Sequence, residues 1–292
     1  MSEGRPRSPN PDVYSLPPAE PSPADILLKE VTEAFAAVGF DLVQPLGDAR
    51  LLTWDESLPP ATLPPPFNAL ERPLAVVVGN TRALWPHFVT WLNADLARRQ
   101  LTDPLDTYSE QLFAAVAARL PVPSTWRGAW ERPPRQMDML RAAHLSGLGT
   151  FSRAMLAIHR QVGLWFGLRG VLLLGIPDET RETGPGSERV LMPWLPCLDC
   201  SAPCEPPLMR ATELFETHRE EKTHREENPS SIVPRFWEAW LAIRDACPVG
   251  REYRYSDEQI AFHYRRMLPE APAETLAVQP EQGQGDQHRN SG

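Results

Sequence analysis

The chain has 292 residues, with 38 acidic against 29 basic side chains and a formal net charge of -9. That length gives one large domain or two small ones, with enough chain to bury a core. Its Lys and Arg are scattered, which excludes a phosphate-tracking nucleic-acid binder, because such a surface needs massed cations. No apolar run approaches a membrane span; Val171 to Leu174 has the length of a strand.

Residues 1–22 are rich in Pro and Ser and lack an apolar core, so they predict a disordered leader rather than a signal peptide. Ser22, Pro23 and Asp25 form a helix start: a capping hydroxyl, a proline at the first position and a carboxylate at the positive end. Ile26, Leu27, Val31 and Phe35 then give one apolar face, ending near Val38 before Gly39. Leu74 to Val78 predicts a buried strand, followed by Thr81 and a Trp-rich helix to about Leu96. Asp103 and Pro104 repeat the capping logic and open a helix to about Leu120. Ser124 to Trp130 predicts a strand, and Gln136 to Gly147 a helix with His144 near its C-terminal end.

Leu156 to Arg160 and Phe166 to Leu174 predict two strands joined into a hairpin by the Gly163 to Gly167 stretch. A Gly/Pro loop (Gly184, Pro185, Gly186) leads to a cysteine-rich cap over about 190–250. That cap carries a charged helix with a duplicated hexad starting at Thr217 and Thr223, read as a solvated face; helices around Phe236 to Ala246 and Ser256 to Met267 follow. Residues 272–292 predict a disordered tail, leaving 23–271 as the folded unit. Interspersed helices and strands with a hairpin give the α+β class.

All four cysteines fall in one pattern: Cys197, Cys200 and Cys204 in a Cys-x2-Cys-x3-Cys run, then Cys247-Pro248 far downstream. Thiolates at such spacing converge on a soft metal, zinc or an iron–sulfur cluster, and the closing Cys-Pro favours the cluster. A pair of disulfides, or four unrelated thiols, is the plainer alternative. A cytoplasmic location, expected from the absence of targeting segments, disfavours disulfides.

No phosphate loop, dinucleotide fingerprint, nucleophile elbow or His-Glu-x-x-His is present. Arg169 lies in an otherwise apolar strand and must pair internally, face a cavity or point to solvent. Arg244 is a second cation, three residues before Cys247. Two arginines on one pocket suit a carboxylate or phosphate.

Five collinear pieces carry a family resemblance: Leu58 to Ala61, Leu101 to Asp106, Arg132 to Gly147, His159 to Gly175, and Trp240 to Ala246 with Arg254 to Gln259. Over about Gly39 to Tyr264 the chain resembles the cobalamin-processing proteins of the CblC type. The resemblance implies a flavin-reductase/nitroreductase-like antiparallel sheet flanked by helices, and an enzyme that binds cobalamin base-off. It also implies removal of the upper axial ligand, by reductive decyanation with reduced flavin (FAD or FMN) or by thiol-dependent dealkylation with glutathione. Arg169 and Arg244 fall on family arginines associated with glutathione; a third has no clear counterpart. His144, Gly147, His159, Trp165 and Gly167 fall on segments lining the corrin pocket, with Trp165 covering its apolar face.

The cysteine run resembles the cluster-binding segments of epoxyqueuosine reductases, implying a four-iron, four-sulfur cluster on Cys197, Cys200, Cys204 and Cys247 that passes electrons to cobalt. Implied partners are cobalamin, a thiol or reductant, and a flavin reductase or downstream cobalamin enzyme, with the chain a monomer or homodimer. A carrier without chemistry and a reductase of an organic substrate are the competing expectations.

Overall fold

The computed structural model describes residues 21–48, 67–70, 72–132, 135–177, 194–221 and 235–271. The leader before residue 21, the tail from 272 and the Gly184 loop therefore lie outside the described residues.

Four antiparallel strands form the main sheet, in the order β1 (Leu42–Asp48), β2 (Pro73–Asn80), β6 (Gly167–Pro177), β3 (Ser124–Gly128). β2 is buried along its whole length, because both faces of the sheet are covered. The two sides of its pleat feed different cores. Leu74, Val76 and Val78, with Leu172 and Leu174 of β6, pack against helices α1 (Pro23–Ala36), α2 (Leu84–Asn93) and α3 (Pro104–Arg119) through Val31, Phe35, Phe88 and Phe113. Ala75, Val77, Val171 and Leu173 pack on the other side against Ala142 and Ala143 of α4 (Met139–Ser146). This is the α+β class that the interspersed pattern predicts.

α1 starts where expected: the Ser22 hydroxyl accepts from the Asp25 amide at 3.1 Å, and the Asp25 carboxylate accepts from the Ser22 amide at 3.0 Å. Such a reciprocal cap is worth about 1 kcal/mol. β1 has no strong strand signal, since Pro45 and Gly47 interrupt it. It takes the sheet edge, where a proline's missing N–H is tolerated, with a register shift between Pro45 and Gly47.

The predicted hairpin is not formed. β5 is only Ala157–Ile158 and pairs with β4 (Thr150–Phe151) in a separate two-stranded sheet, while β6 pairs with β2 and β3. The reason is local: the Ser152 amide donates to the Leu156 carbonyl at 3.0 Å and Met155 takes a left-handed φ of 59°, which turns β5 back on β4, while the turn after β5 closes in a single His159–Gly163 bridge and does not reach β6.

The cap contains α5 (Glu205–Glu221) and α6 (Trp237–Ala246), which pack against each other, followed by α7 (Asp257–Arg265). Ala211 and Ile243 join Ala154, Ile158 and Leu164 in a third core that includes Cys204 and Cys247. The first hexad is not wholly solvated: His218 is 5% exposed and stands edge-on to Phe236 at 5.6 Å. The second copy lies outside the described residues. Among the described residues no helix is long and apolar enough to cross a membrane.

Candidate functional site

Arg169 is placed by a β-bulge. Val78 pairs with Gly170 and Gly79 with Leu168, so Arg169 is the extra residue between them. Pleat parity reverses across that point. Leu172 and Leu174 pack with α1–α3, yet Leu168, of the same parity, packs with the α4 side. Arg169 is thereby turned towards α3 and α7. Its Nε donates to Oδ1 of the fully buried Asn80 at 2.6 Å, and Asn80 is itself held through Nδ2 to the Thr81 carbonyl at 2.8 Å. Gly167 permits this: a Cβ there would stand 3.0 Å from Arg169 Nη2 and 3.3 Å from Asn80 Oδ1. Burial lowers the Arg169 pKa and Arg244 pushes it the same way, while Tyr255 and Asp106 oppose.

Arg244 reaches the same place from α6. Its Nη1 donates to the Leu164 carbonyl at 2.8 Å, its guanidinium lies 6.0 Å from the Trp165 ring, and both the Tyr255 and Tyr264 phenols are within its hydrogen-bonding reach. Arg169, Arg244, Gly167, Tyr255, His263 and Tyr264 line one cavity of about 440 Å³, whose apolar walls include Met155, Phe166, Trp240 and Ile243. The structure thus brings together the two arginines singled out in the sequence and resolves the three options for Arg169 in favour of a cavity.

Burial drives His263 well below the usual imidazole value, and the guanidiniums of Arg169, Arg244 and Arg266 add to this. It is therefore neutral at pH 7. Burial raises both Tyr255 and Tyr264 against the pull of Arg244, so both phenols keep their protons. The Nε2 of His263 and Nε1 of Trp240 are shut off from solvent without a hydrogen-bond partner, an arrangement that costs free energy. Sequence reasoning missed Asn80, Trp240, Tyr255, His263 and Tyr264. Their signal was faint: His263-Tyr264 in a polar helix, and an Asn ending an apolar strand.

Trp165 departs from expectation. It is 1% exposed, edge-on to Tyr255 at 5.5 Å and between Arg244 and Arg254, the latter 5.7 Å from its ring and ion-paired to Asp245 at 2.8 Å. A ring so enclosed cannot cover a planar ligand; it instead backs Arg244. His159 is half-buried, and its Nδ1 accepts from the Gln161 and Val162 amides at 3.1 and 3.2 Å. That nitrogen is spent on holding a turn, and burial lowers the ring's pKa. His144 is exposed in the last turn of α4, 5.2 Å from the ring of Phe151, and Gly147 closes that helix in a left-handed conformation, φ 75°. None of His144, Gly147 and His159 lines the arginine cavity. Phe151, beside His144, and Met155, which lines the arginine cavity, are 53% and 76% exposed.

The four cysteines also converge. All of them line a second cavity of about 240 Å³, together with Ile158, Leu164, Pro203 and Pro248. All four are free thiols, so the disulfide alternative is not realised. Burial raises the Cys204 and Cys247 pKa values, and neighbouring cysteines add to both shifts. Yet among the described residues no three His, Cys, Asp or Glu side chains stand close enough to hold a single metal ion. The two cavities share Ala154 as a wall, and Leu164, whose carbonyl holds Arg244, lines the thiol side.

A scan of protein-family models gave no match, and no curated protein matched. Among solved structures the chain is similar to the Caenorhabditis elegans B12-trafficking protein CblC, described as a homologue of human MMACHC. The TM-score is 0.49 at 14% sequence identity, covering 83% of this chain and 91% of that one.

Proposed function

We propose that this protein binds cobalamin as its substrate, with the lower base displaced, and removes the upper axial ligand by thiol-dependent dealkylation or reductive decyanation. The observation that carries this reading is the convergence of Arg169 and Arg244 on one cavity whose wall includes the exposed Met155. Exposed apolar side chains such as Met155 take a large planar ligand by apolar contact, and the cavity takes a small anionic reactant alongside it. The collinear sequence pieces supply the identity of the planar ligand, and a flavin-reductase/nitroreductase-like kinship of the sheet belongs to the same reading, as does 23–271 as one cobalamin-binding unit capped by the cysteine-rich segment.

In this reading Arg169 and Arg244 hold the carboxylate of a thiol co-substrate such as glutathione, and their charge favours its thiolate form. Asn80 fixes Arg169, and Trp165 behind Arg244 keeps water from that side. The thiolate attacks the alkyl carbon, the carbon–cobalt bond breaks, and its electron pair stays on cobalt. Decyanation instead requires electrons, from reduced flavin or from within the protein. An iron–sulfur cluster held by Cys197, Cys200, Cys204 and Cys247 would supply one-electron reduction.

Titration with cyanocobalamin tests the reading: a shift to base-off absorbance followed by cyanide loss on adding reduced flavin is expected. Base-off binding without cyanide loss under flavin or thiol means a carrier, and no spectral change overturns the assignment. Anaerobic purification tests the cluster: broad charge-transfer absorption with bound iron is expected, and a colourless, iron-free protein overturns it. A bound cluster favours a second reading, a reductase of an organic substrate, only if cobalamin fails to bind.

A further inference from the structure

We propose that the state of the thiol cavity sets the anion affinity of the arginine cavity: Cys247 positions Arg244, so that oxidation, alkylation or loading of that thiol is transmitted to the guanidinium one turn away. This regulation rests on the function proposed above for the identity of the anion; the mechanical link rests on the structure alone.

The two cations are held by different parts of the molecule. Arg169 belongs to β6 of the main sheet and is fixed through Asn80. Arg244 belongs to α6, which packs chiefly on α5. An anion that engages both guanidiniums bridges sheet and cap, so its affinity depends on where α6 stands.

A closed ring of contacts sets that position. The Cys247 amide donates to the Arg244 carbonyl at 3.2 Å, so thiol and guanidinium leave the same last turn of α6. Arg244 Nη1 donates to the Leu164 carbonyl at 2.8 Å. Beyond Cys247, Gly250 stands against Val162 and Gly163, with no room between Gly163 and Val249 for even a methyl group. Arg251 Nε returns to the Cys247 carbonyl at 3.2 Å. The 162–164 segment is thus gripped at one end by the guanidinium and at the other by the loop that follows the thiol. Backbone packed this closely transmits a displacement rather than absorbing it.

The ring also borders the thiol cavity. Leu164 and Cys247 both line it, and Ala154 is a wall of both cavities. Cys247 is 7% exposed, so a group added to its sulfur must push its surroundings aside or wait for them to open. Cys197 lines the same cavity but precedes α5 and lies outside the ring. The two thiols therefore differ in the one property that the link requires.

Hydrogen exchange on the full chain as isolated tests the link. The Trp165 and Cys247 amides are the reporters, bonded to the Val162 and Arg244 carbonyls of the ring. With S-methylglutathione at about ten times its Kd, their exchange should slow about 10-fold, while the α1 amides stay unchanged. Cys247→Met should lower affinity for the same peptide at least about 5-fold, and Cys197→Met should change it less than about 2-fold. Unaltered reporter exchange at saturation overturns the proposal, as does equal loss of affinity in the two cysteine variants.

A comparison without ligand separates this inference from the proposed function. Arg244→Met removes the bond to Leu164 and should speed reporter exchange about 5-fold, with the α1 amides again unchanged. Arg169→Met, which lies outside the ring, should leave the reporters as they are. If S-methylglutathione does not bind, or Cys247→Met does not fold, this comparison decides. Faster reporter exchange confined to Arg244→Met keeps the link, and with no peptide binding it sinks only the glutathione placement; reporter exchange equal to that of the unaltered chain sinks the link.

Discussion

Gly163 and Gly250 meet backbone to backbone, each in a left-handed conformation, φ 60° and 69°. A Cβ on Gly163 would fall onto the Val249 carbonyl, and one on Gly250 onto Val162. The contact pins the loop after Cys247 against the turn held by His159. Gly163→Ala and Gly250→Ala should each cost roughly 2–5 kcal/mol, the left-handed penalty plus overpacking. The double variant should cost less than the sum, because both methyl groups open the same contact. Urea unfolding of the four proteins measures this cycle, and full additivity would contradict the shared contact.

Asn80→Ala removes the acceptor that holds Arg169 Nε. It should destabilise the protein by about 1–3 kcal/mol, the cost of an unsatisfied buried donor. It should also weaken S-methylglutathione binding several-fold while leaving base-off cobalamin binding intact. Parallel titrations with the two ligands separate these effects.

Phe113 is wholly buried, with ring centroids 4.9 Å from Phe35, 6.1 Å from Phe40 and 5.8 Å from Trp126. Phe113→Ala should cost about 3–5 kcal/mol, read as a lowered unfolding midpoint with an unchanged denaturant slope.

Stability should depend on pH through His263. Its folded pKa lies well below the ordinary value, so the unfolded chain takes up a proton first. The stability is present above about pH 6.5 and is lost as pH falls from there towards the folded value. His159 has the same sign, with a smaller lowering. His263→Gln should flatten most of the decline between pH 7 and 5 in urea unfolding, leaving the His159 part.

Much of the framework was legible in the sequence because local signals and burial agree there. Ser22 with Asp25, the apolar β2 and the Asp103-Pro104 start each specify an element without help from distant contacts. β1 was not legible, since Pro45 and Gly47 suppress the strand signal and only the edge position tolerates them. The hairpin expectation failed because Met155 adopts a conformation that no residue pattern advertises for methionine. The convergence of the four cysteines and of Arg169 with Arg244 could be anticipated from residue type and spacing. The polar lining from Tyr255, His263 and Tyr264 could not, since these residues matter only through the docking of α7 on the arginines. Trp165 carried a clear signal of importance, but its burial reverses the role that an exposed aromatic would have had.

The bulge at Arg169 also bears on how this chain tolerates length changes. Strand β6 carries one residue more than its partner β2 at that point, and that surplus reverses the parity of everything before it. Deleting a single residue between Gly167 and Gly170 would restore simple alternation, and the cation would then swing to the α4 side, away from Asn80 and Arg244. A point substitution can weaken the anion cavity, but a one-residue deletion would turn it inside out while leaving the rest of the sheet paired. Insertions and deletions should therefore be accepted at the strand's far end, near Pro177, and be ruinous at its beginning.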